Sequence, residues 1–551
     1  MNTCVRLLLA VVVLTLAVPG AARAQFADLI IENAKIYTVD RARPRATAVA
    51  IRGDRFLAVG RVVSEHRGPR TRVIDARGAA IVPGFIDSHA HMEGLGASLE
   101  VLDLRSARSA AEVAALVADA AANAEPGGWI LGRGWDQTRW PGQQFPSAAD
   151  LDRAAANHPV YLTRVDGHAG WVNHKALVLA GVTAATPDPS GGRIHRTKDG
   201  DPTGILIDRA QGLVRSKVPA PGKEQIRERL AKAAAECARL GLTGIHDAGV
   251  SAAEIDAYRE LIAAGRLPVR IYAMIGGEGE LWRAWLKRGI ETGDHFTVRS
   301  IKLVADGALG SRGAAMKEPY SDEAHNRGLL ILGREAIERV ARAAVIHGFQ
   351  VNTHAIGDRA NREVLDAYAA ALGGPNDRRF RIEHAQIVSL DDFELFRRYS
   401  VLPSMQATHA TSDMRWAEER VGAERIRGAY AWQRFLRMGL PVPNGSDFPV
   451  EDPNPLWGFY AAITRQDHQG YPPRGWRPDE RMSRAEALES WTLSGAYAAF
   501  EEHRKGSITA GKLADLVMLS RDIMEEPPLE ILKTRVTMTV LGGEIVYLEK
   551  K

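Results

Sequence analysis

The middle of the chain repeats one unit, a short apolar run followed by a stretch with helical periodicity. The runs fall at 81–87, 242–246, 269–274, 298–304, 349–354, 379–384, 401–405 and 441–445. Between or after them lie stretches such as "REAIERVARAAVIHG" and "RAEALESWTLSGAYAAF", whose apolar residues recur every three or four positions. Eight strands with intervening helices predict an α/β fold, a (β/α)8 TIM barrel. The spacing agrees: His354 to His384 is 30 residues, one strand–helix unit, and His384 to Asp447 is 63, two units.

The barrel should run from about 81 to 500, well beyond the roughly 250 residues of a typical one. Most of the excess lies at 92–240, between the first and second strands. That stretch has β-like runs of its own ("WILGRGWD", "PVYLTRVDGHAGWVN") and reads as an inserted subdomain roofing the barrel mouth. The two ends of the chain, 25–80 and 501–551, are also β-like. Examples are "ADLIIENAKIYTVD", "AVAIRGDRFLAVG" and "VTMTVLGGEIVYLEK", the last with Gly542-Gly543 as a hairpin turn. Neither end has enough strands to stand alone, so together they are expected to build one small β-sandwich.

Residues 1–24 have Arg6, an apolar run over 7–18 and Ala22-Arg23-Ala24, the three parts of a secretory signal peptide. The run is short for a bilayer span, so cleavage after Ala24 and export to the periplasm or the medium are expected, with an uncleaved anchor as the alternative. Removal of Cys4 would leave Cys237 alone, which excludes an internal disulfide or a cysteine-rich zinc site. Its Ala/Leu-rich surroundings make Cys237 a small buried apolar residue.

Chemistry concentrates where the predicted strands end. "IVPGFIDSHAH" closes with His89 and His91, and alternate residues of an extended chain point the same way. Lys302 lies in the fourth strand, His354 ends the fifth, His384 ends the sixth and Asp447 follows the eighth. Barrel active sites sit at the C-terminal ends of strands, so all six side chains should enter one mouth. Imidazoles with a carboxylate are the usual Zn²⁺ ligands where a position is kept for water. Taken singly, each histidine also has a plain packing role, and Lys302 could pair with Asp306.

With these residues in place, the chain resembles the amidohydrolase superfamily over nearly all its length: "PGFIDSHAH", "TH", "EH", "GSD" and "GSITAGKLADLVML". Within it, "GWD", "DGHAGWVN", "IKLVADGALGSRGA", "THAIGD" and "NGSDFPV" are most similar to amidohydrolase family three, which includes N-substituted formamide deformylase-like proteins. The resemblance implies a hydrolytic site with one or two divalent metals, usually zinc. His89, His91 and Asp447 would hold the more buried ion. A carboxylated Lys302 would bridge to a second ion on His354 and His384. Carboxylation matters because an ammonium has donors only and cannot ligate.

The chemistry follows from the ion. Zn²⁺ lowers the pKa of a bound water from 15.7 towards about 7. Asp447 is placed to take the water proton and return it to the leaving amine, and His384 to polarise the carbonyl. His168, Trp135, Asp136, Arg312, Trp457 and Arg465 are candidates for shaping the pocket, against ordinary loop packing. His246-Asp247 and Asp87 are candidates for support of the ligands.

The expected activity is metal-dependent hydrolysis of a non-peptide carbon–nitrogen bond in a small-molecule amide. Acyl amino acids or dipeptide-like compounds, cyclic amides and esters are the alternatives on the same machinery. A non-catalytic metal-bearing binding protein is the alternative from another class. A formal charge of +4 with no basic stripe argues against nucleic acid as a partner, and no second apolar stretch points to a membrane once the leader is gone. The chain could act as a monomer or a homodimer.

Overall fold

Eight strands form one parallel sheet in chain order: Phe85–Ala90, Leu242–Val250, Arg270–Gly276, Phe296–Val304, Gln350–Ala355, Arg381–His384, Leu402–Gln406 and Asn444–Gly445. These are barrel strands one to eight. The computed structural model describes residues 26–550 apart from 166, 168, 190, 191 and 278, and leaves aside the side chains at 138 and 208. The leader at 1–24 and His168 therefore lie outside the described residues.

Strands one and six are buried along their whole length, as in a sheet covered on both faces. Helices on the outside connect them, and local sequence fixes their ends. Ala252–Ala263 begins with a Ser251/Glu254 capping box. Arg334–His347 ends at Gly348 in the left-handed conformation (φ 75°). The "RAEALESWTLSGAYAAF" stretch forms two helices, Arg484–Ser490 and Leu493–Ala498, parted where Thr492 leaves helical geometry.

The ring closes between its last and first strands. Just past strand eight, the Asp447 N–H donates to the His89 carbonyl at 2.8 Å, and His91 N–H donates to the Phe448 carbonyl at 2.9 Å. The buried Asp87 carboxylate adds a side-chain rung, accepting Ser446 N–H at 3.1 Å, Ser446 Oγ–H at 2.6 Å and His89 N–H at 3.1 Å.

The expected first strand, 81–87, is two strands. Ala80–Pro83 pairs with Leu516–Leu519 and Lys35–Tyr37 outside the barrel, and Phe85–Ala90 begins the ring. Gly84 makes the change of sheet where a Cβ would lie 2.1 Å from Thr243 Oγ1. The apolar run is continuous because both halves are buried.

Both chain ends share one sandwich. A sheet ordered Arg55–Gly60, Ala48–Arg52, Leu29–Glu32, Arg72–Asp75 faces a second ordered Glu544–Leu548, Val536–Leu541, Leu516–Leu519, Ala80–Pro83, Lys35–Tyr37, Arg45–Ala46. Ile31, Val49 and Phe56 pack with Leu516, Met538 and Val540 in their common core. Between barrel strands one and two, a six-stranded sheet from Leu102–Asp103 to Pro202–Asp208 carries its own core around Trp135, Trp140 and Trp171. Cys237 is buried on helix Lys223–Arg239.

A buried ion pair ties the sandwich to the barrel. Arg270, at the start of strand three, donates to both oxygens of Asp515 at 2.9 and 2.8 Å, and Gly542 N–H adds a third bond. Burial alone would raise the Asp515 carboxyl, but the Arg270 guanidinium outweighs it and holds the group below its usual range. Asp515→Asn should cost about 3–5 kcal/mol, read by denaturant unfolding, because Arg270 is left buried without a counter-charge. A depressed folded-state pKa makes this contribution complete above about pH 4 and lost as pH falls further, a dependence the variant should lack.

Candidate metal centre

Three histidines reach the mouth in the same tautomeric state, each fixed from behind. His89 Nδ1 lies 2.5 Å from Glu383 Oε2, His91 Nδ1 is 2.9 Å from the Ala248 carbonyl, and His384 Nδ1 is 2.7 Å from Gln406 Oε1. All three partners are acceptors, so each Nδ1 carries the proton and each Nε2 keeps its lone pair. His384 thus faces the centre as a ligand does; the N–H needed to polarise a carbonyl is turned away to Gln406.

These lone pairs converge on Asp447. His91 Nε2 is 3.2 Å and His89 Nε2 3.5 Å from Asp447 Oδ1. Two ligands at about 2.0–2.1 Å from a tetrahedral ion are about 3.3–3.4 Å apart. The donor types and spacing therefore fit a divalent ion held by His89, His91 and Asp447, whose ligand atoms all lie within 4.8 Å of one another.

The electrostatics favour that state at His89 and His384. Burial lowers the His89 imidazolium to about 4, with Lys302 adding to the effect, and places His384 well below its usual value. Burial alone would raise Asp447, but the His91 hydrogen bond and the neighbouring imidazoles keep it well below the carboxylate range. At His91 the balance runs the other way: burial would lower it, but Asp447 overrides burial and raises it, so an ion at this ring competes with a proton.

Behind this set lies a rigid polar layer. Arg381 holds Glu383 at 2.7 and 2.9 Å, also donating to Ser404 Oγ, the Ser88 carbonyl and His246 Nδ1. Burial would raise Glu383, but Arg381 and His89 bring it down to about 2. Asp247 accepts from Met92 N–H at 2.9 Å and Tyr258 OH at 2.6 Å, and so fixes the chain just after His91.

Other expected residues sit differently. Lys302 Nζ is 3.1 Å from His89 Nε2, and burial lowers its pKa. Asp306, its alternative partner, instead accepts the N–H groups of Ala315, Ile356 and Gly357. His354 packs edge-on against His384 at 4.6 Å between ring centroids, with its Nε2 3.4 Å from Asp306 Oδ1.

Among the pocket candidates, Asp136 and Trp457 line a groove of about 1250 Å³. It runs between the inserted sheet, the segments after barrel strands seven and eight, and the C-terminal segments at 534–536 and Tyr547. Trp135 is fully buried in the insertion core, its Nε1–H on the Leu162 carbonyl. Arg312 pairs with Asp322 at 2.9 Å. Arg465 is fully buried between Trp432 and Trp476, donating to the Tyr430 and Trp476 carbonyls, a packing role instead of contact with substrate.

Sequence reasoning passed over Glu383, Gln406 and His409. Glu383 was absorbed into the "RIEH" strand, where its inward position one residue before His384 gave the signal. His409 lies in helix Ala407–Asp413 directly after strand seven, in "MQATHA", and its ring stacks on His384 at 5.7 Å.

A sequence profile of the amidohydrolase family matches residues 72–547. The chain belongs to the amidohydrolase family. This amidohydrolase is 30% identical over 543 residues to N-substituted formamide deformylase of Arthrobacter pascens, covering 95% of this chain and 99% of that one. It is 36% identical over 541 residues to Protein LONG AFTER FAR-RED 3 of Arabidopsis thaliana, covering 95% and 92%. It also superposes on the crystal structure of an uncharacterized metal-dependent hydrolase from Pyrococcus furiosus with a TM-score of 0.75 and 28% identity, covering 90% of this chain and 100% of the other.

Two substitutions probe the amidohydrolase's centre. Glu383→Gln should weaken divalent-ion binding about 10–100-fold by isothermal titration, with unchanged circular dichroism, because the charge that orients His89 is lost. Gly445→Ala should lower both the thermal midpoint and ion affinity, since its Cβ would meet His89 N at 2.6 Å and Asp87 Oδ1 at 2.7 Å.

Proposed function

We propose that this amidohydrolase uses a zinc ion to cleave a non-peptide carbon–nitrogen bond in a small amide with an apolar or aromatic substituent. The observation that carries the reading is the His89–His91–Asp447 donor set, whose two rings are preset in the ligand tautomer. Two imidazoles and a carboxylate with room for solvent favour zinc over magnesium or calcium, which prefer oxygen donors. Leu95, Leu99, Val450 and Trp457 give the groove apolar surface beside its charged residues, in keeping with an amide bearing an apolar group. The family supplies the hydrolytic class, and the relative named as an N-substituted formamide deformylase acts in that class.

A bound zinc ion supplies Lewis acidity towards the carbonyl oxygen and acidifies a water to a pKa of roughly 7. The chain's own groups do the rest. His89 and His91 present fixed lone pairs. Asp447, ionised throughout the working range, can accept the proton of the attacking water and return it to the departing nitrogen. That return is essential, because without a proton the nitrogen would have to leave as a strongly basic amide anion. Leu99 and Trp457 are placed to seat the substituent and hold the amide in line.

The test combines metal analysis with a panel of chromogenic anilides and esters. Zinc-loaded protein should hydrolyse anilides, and a chelator should abolish the signal. Asp447→Asn should lower kcat about 10²–10⁴-fold while KM changes little. Turnover of esters alone, or a loss confined to KM, would overturn the reading.

A further inference from the structure

The groove of about 1250 Å³ holds a carboxylate that no cation of the chain neutralises. Glu451 stands four residues past Asp447, after a turn in which Val450 N–H donates to the Asp447 carbonyl at 2.9 Å. It lines the groove half-buried and accepts a hydrogen bond from Ser412 Oγ at 2.6 Å. No basic side chain pairs with it among the described residues. Arg105, Arg239, Arg415 and Arg535 of the same lining are each matched to another acid. A second signal lies one helical turn from Ser412. Thr408 and Ser412 are i and i+4 on helix Ala407–Asp413, so they share a face with roughly 5–6 Å between Cβ atoms. Thr408 also lines the groove, is 8% exposed, and has its Oγ1 buried without a hydrogen-bond partner among the described residues. A buried hydroxyl left unsatisfied in a groove wall calls for a ligand.

We infer that Glu451 and Thr408 form a subsite for a cation on the substrate, so that the preferred amides carry a substituent ending in a protonated basic nitrogen. This rests on the hydrolysis proposed above and narrows its substrate class. An ammonium or guanidinium has N–H donors only. One can go to the Glu451 carboxylate and another to Thr408 Oγ1, while an apolar stem lies along Leu99 and Trp457. The Trp457 indole also suits a cation. Burial, and after it the charge of Asp447, outweigh the Ser412 hydrogen bond and raise the Glu451 carboxyl to about 7. A cation seated against it favours the ionised form and offsets that burial. A substituent ending in a carboxylate would instead set like charge against Glu451 and Asp447.

The test uses zinc-loaded full-length protein and nitroanilides of one acyl length, ending in an ammonium, a methyl or a carboxylate. Calorimetric titration with benzylguanidinium and its neutral isostere benzylurea reads the subsite without turnover. Wild type should favour the ammonium-ended anilide over the methyl-ended one by about 10–100-fold in kcat/KM, with the carboxylate-ended one last. Glu451→Gln should bring that ratio to within about threefold of unity, and Glu451→Asp should keep part of it. A ratio taken within one protein is insensitive to a loss of folded or metal-loaded fraction. Benzylguanidinium should bind wild type about tenfold more tightly than benzylurea and lose that margin in Glu451→Gln. A wild-type preference for the methyl- or carboxylate-ended anilide, or a ratio that Glu451→Gln leaves unchanged, overturns the inference while the hydrolase reading stands. Hydrolysis of no anilide overturns the hydrolase reading, and the titration then decides the subsite: equal binding of the two probes removes it.

Discussion

Asp87 occupies the junction where the last strand of the barrel meets the first. Strand eight is only Asn444–Gly445, too short for a ladder of its own. The carboxylate of Asp87 takes over, collecting the backbone and hydroxyl of Ser446 and the backbone of His89. Burial raises its pKa to about 7, a sign of how much solvation was given up for these bonds. In return, His89, His91 and Asp447 stand on two chain segments joined within a few ångströms. Closing the ring and assembling the ligands are one event.

The same logic extends outwards. Each candidate ligand ring is held by an acceptor on another strand: His89 by Glu383 of strand six, His91 by the Ala248 carbonyl of strand two, and His384 by Gln406 of strand seven. Orientation is set before any ion arrives, so little reorganisation is needed to bind one. Arg381 keeps the most buried of these acceptors charged. The site is stiff because its supports come from strands and not from loops.

Much of this was legible in the sequence. Apolar runs at regular spacing gave the barrel, and polar residues at their ends gave the mouth, because strand ends are the one place where such residues must emerge. What escaped notice did so for physical reasons. The turn from sandwich to barrel at Gly84 left no mark, since burial on both sides makes one unbroken apolar run. Trp135 and Arg465 resembled substrate contacts but are packed in the core, with Arg465 Nε and Nη1 donating to carbonyls there. His409 is presented by a helix that starts immediately beyond strand seven, and a single histidine in a helix carries no pattern of its own.

The sandwich has a consequence for biosynthesis. Ala80–Pro83 pairs with Leu516–Leu519 in one sheet, and Leu29–Glu32 of the facing sheet packs across the core on Leu516–Leu519 and Val536–Leu541, segments made at opposite ends of translation. The earliest strands to leave the ribosome must wait, apolar faces uncovered, until almost the whole polypeptide has followed. Maturation of this enzyme is therefore gated by the completion of its own tail, and any nascent chain cut short would display a sticky half-layer that quality-control factors could recognise.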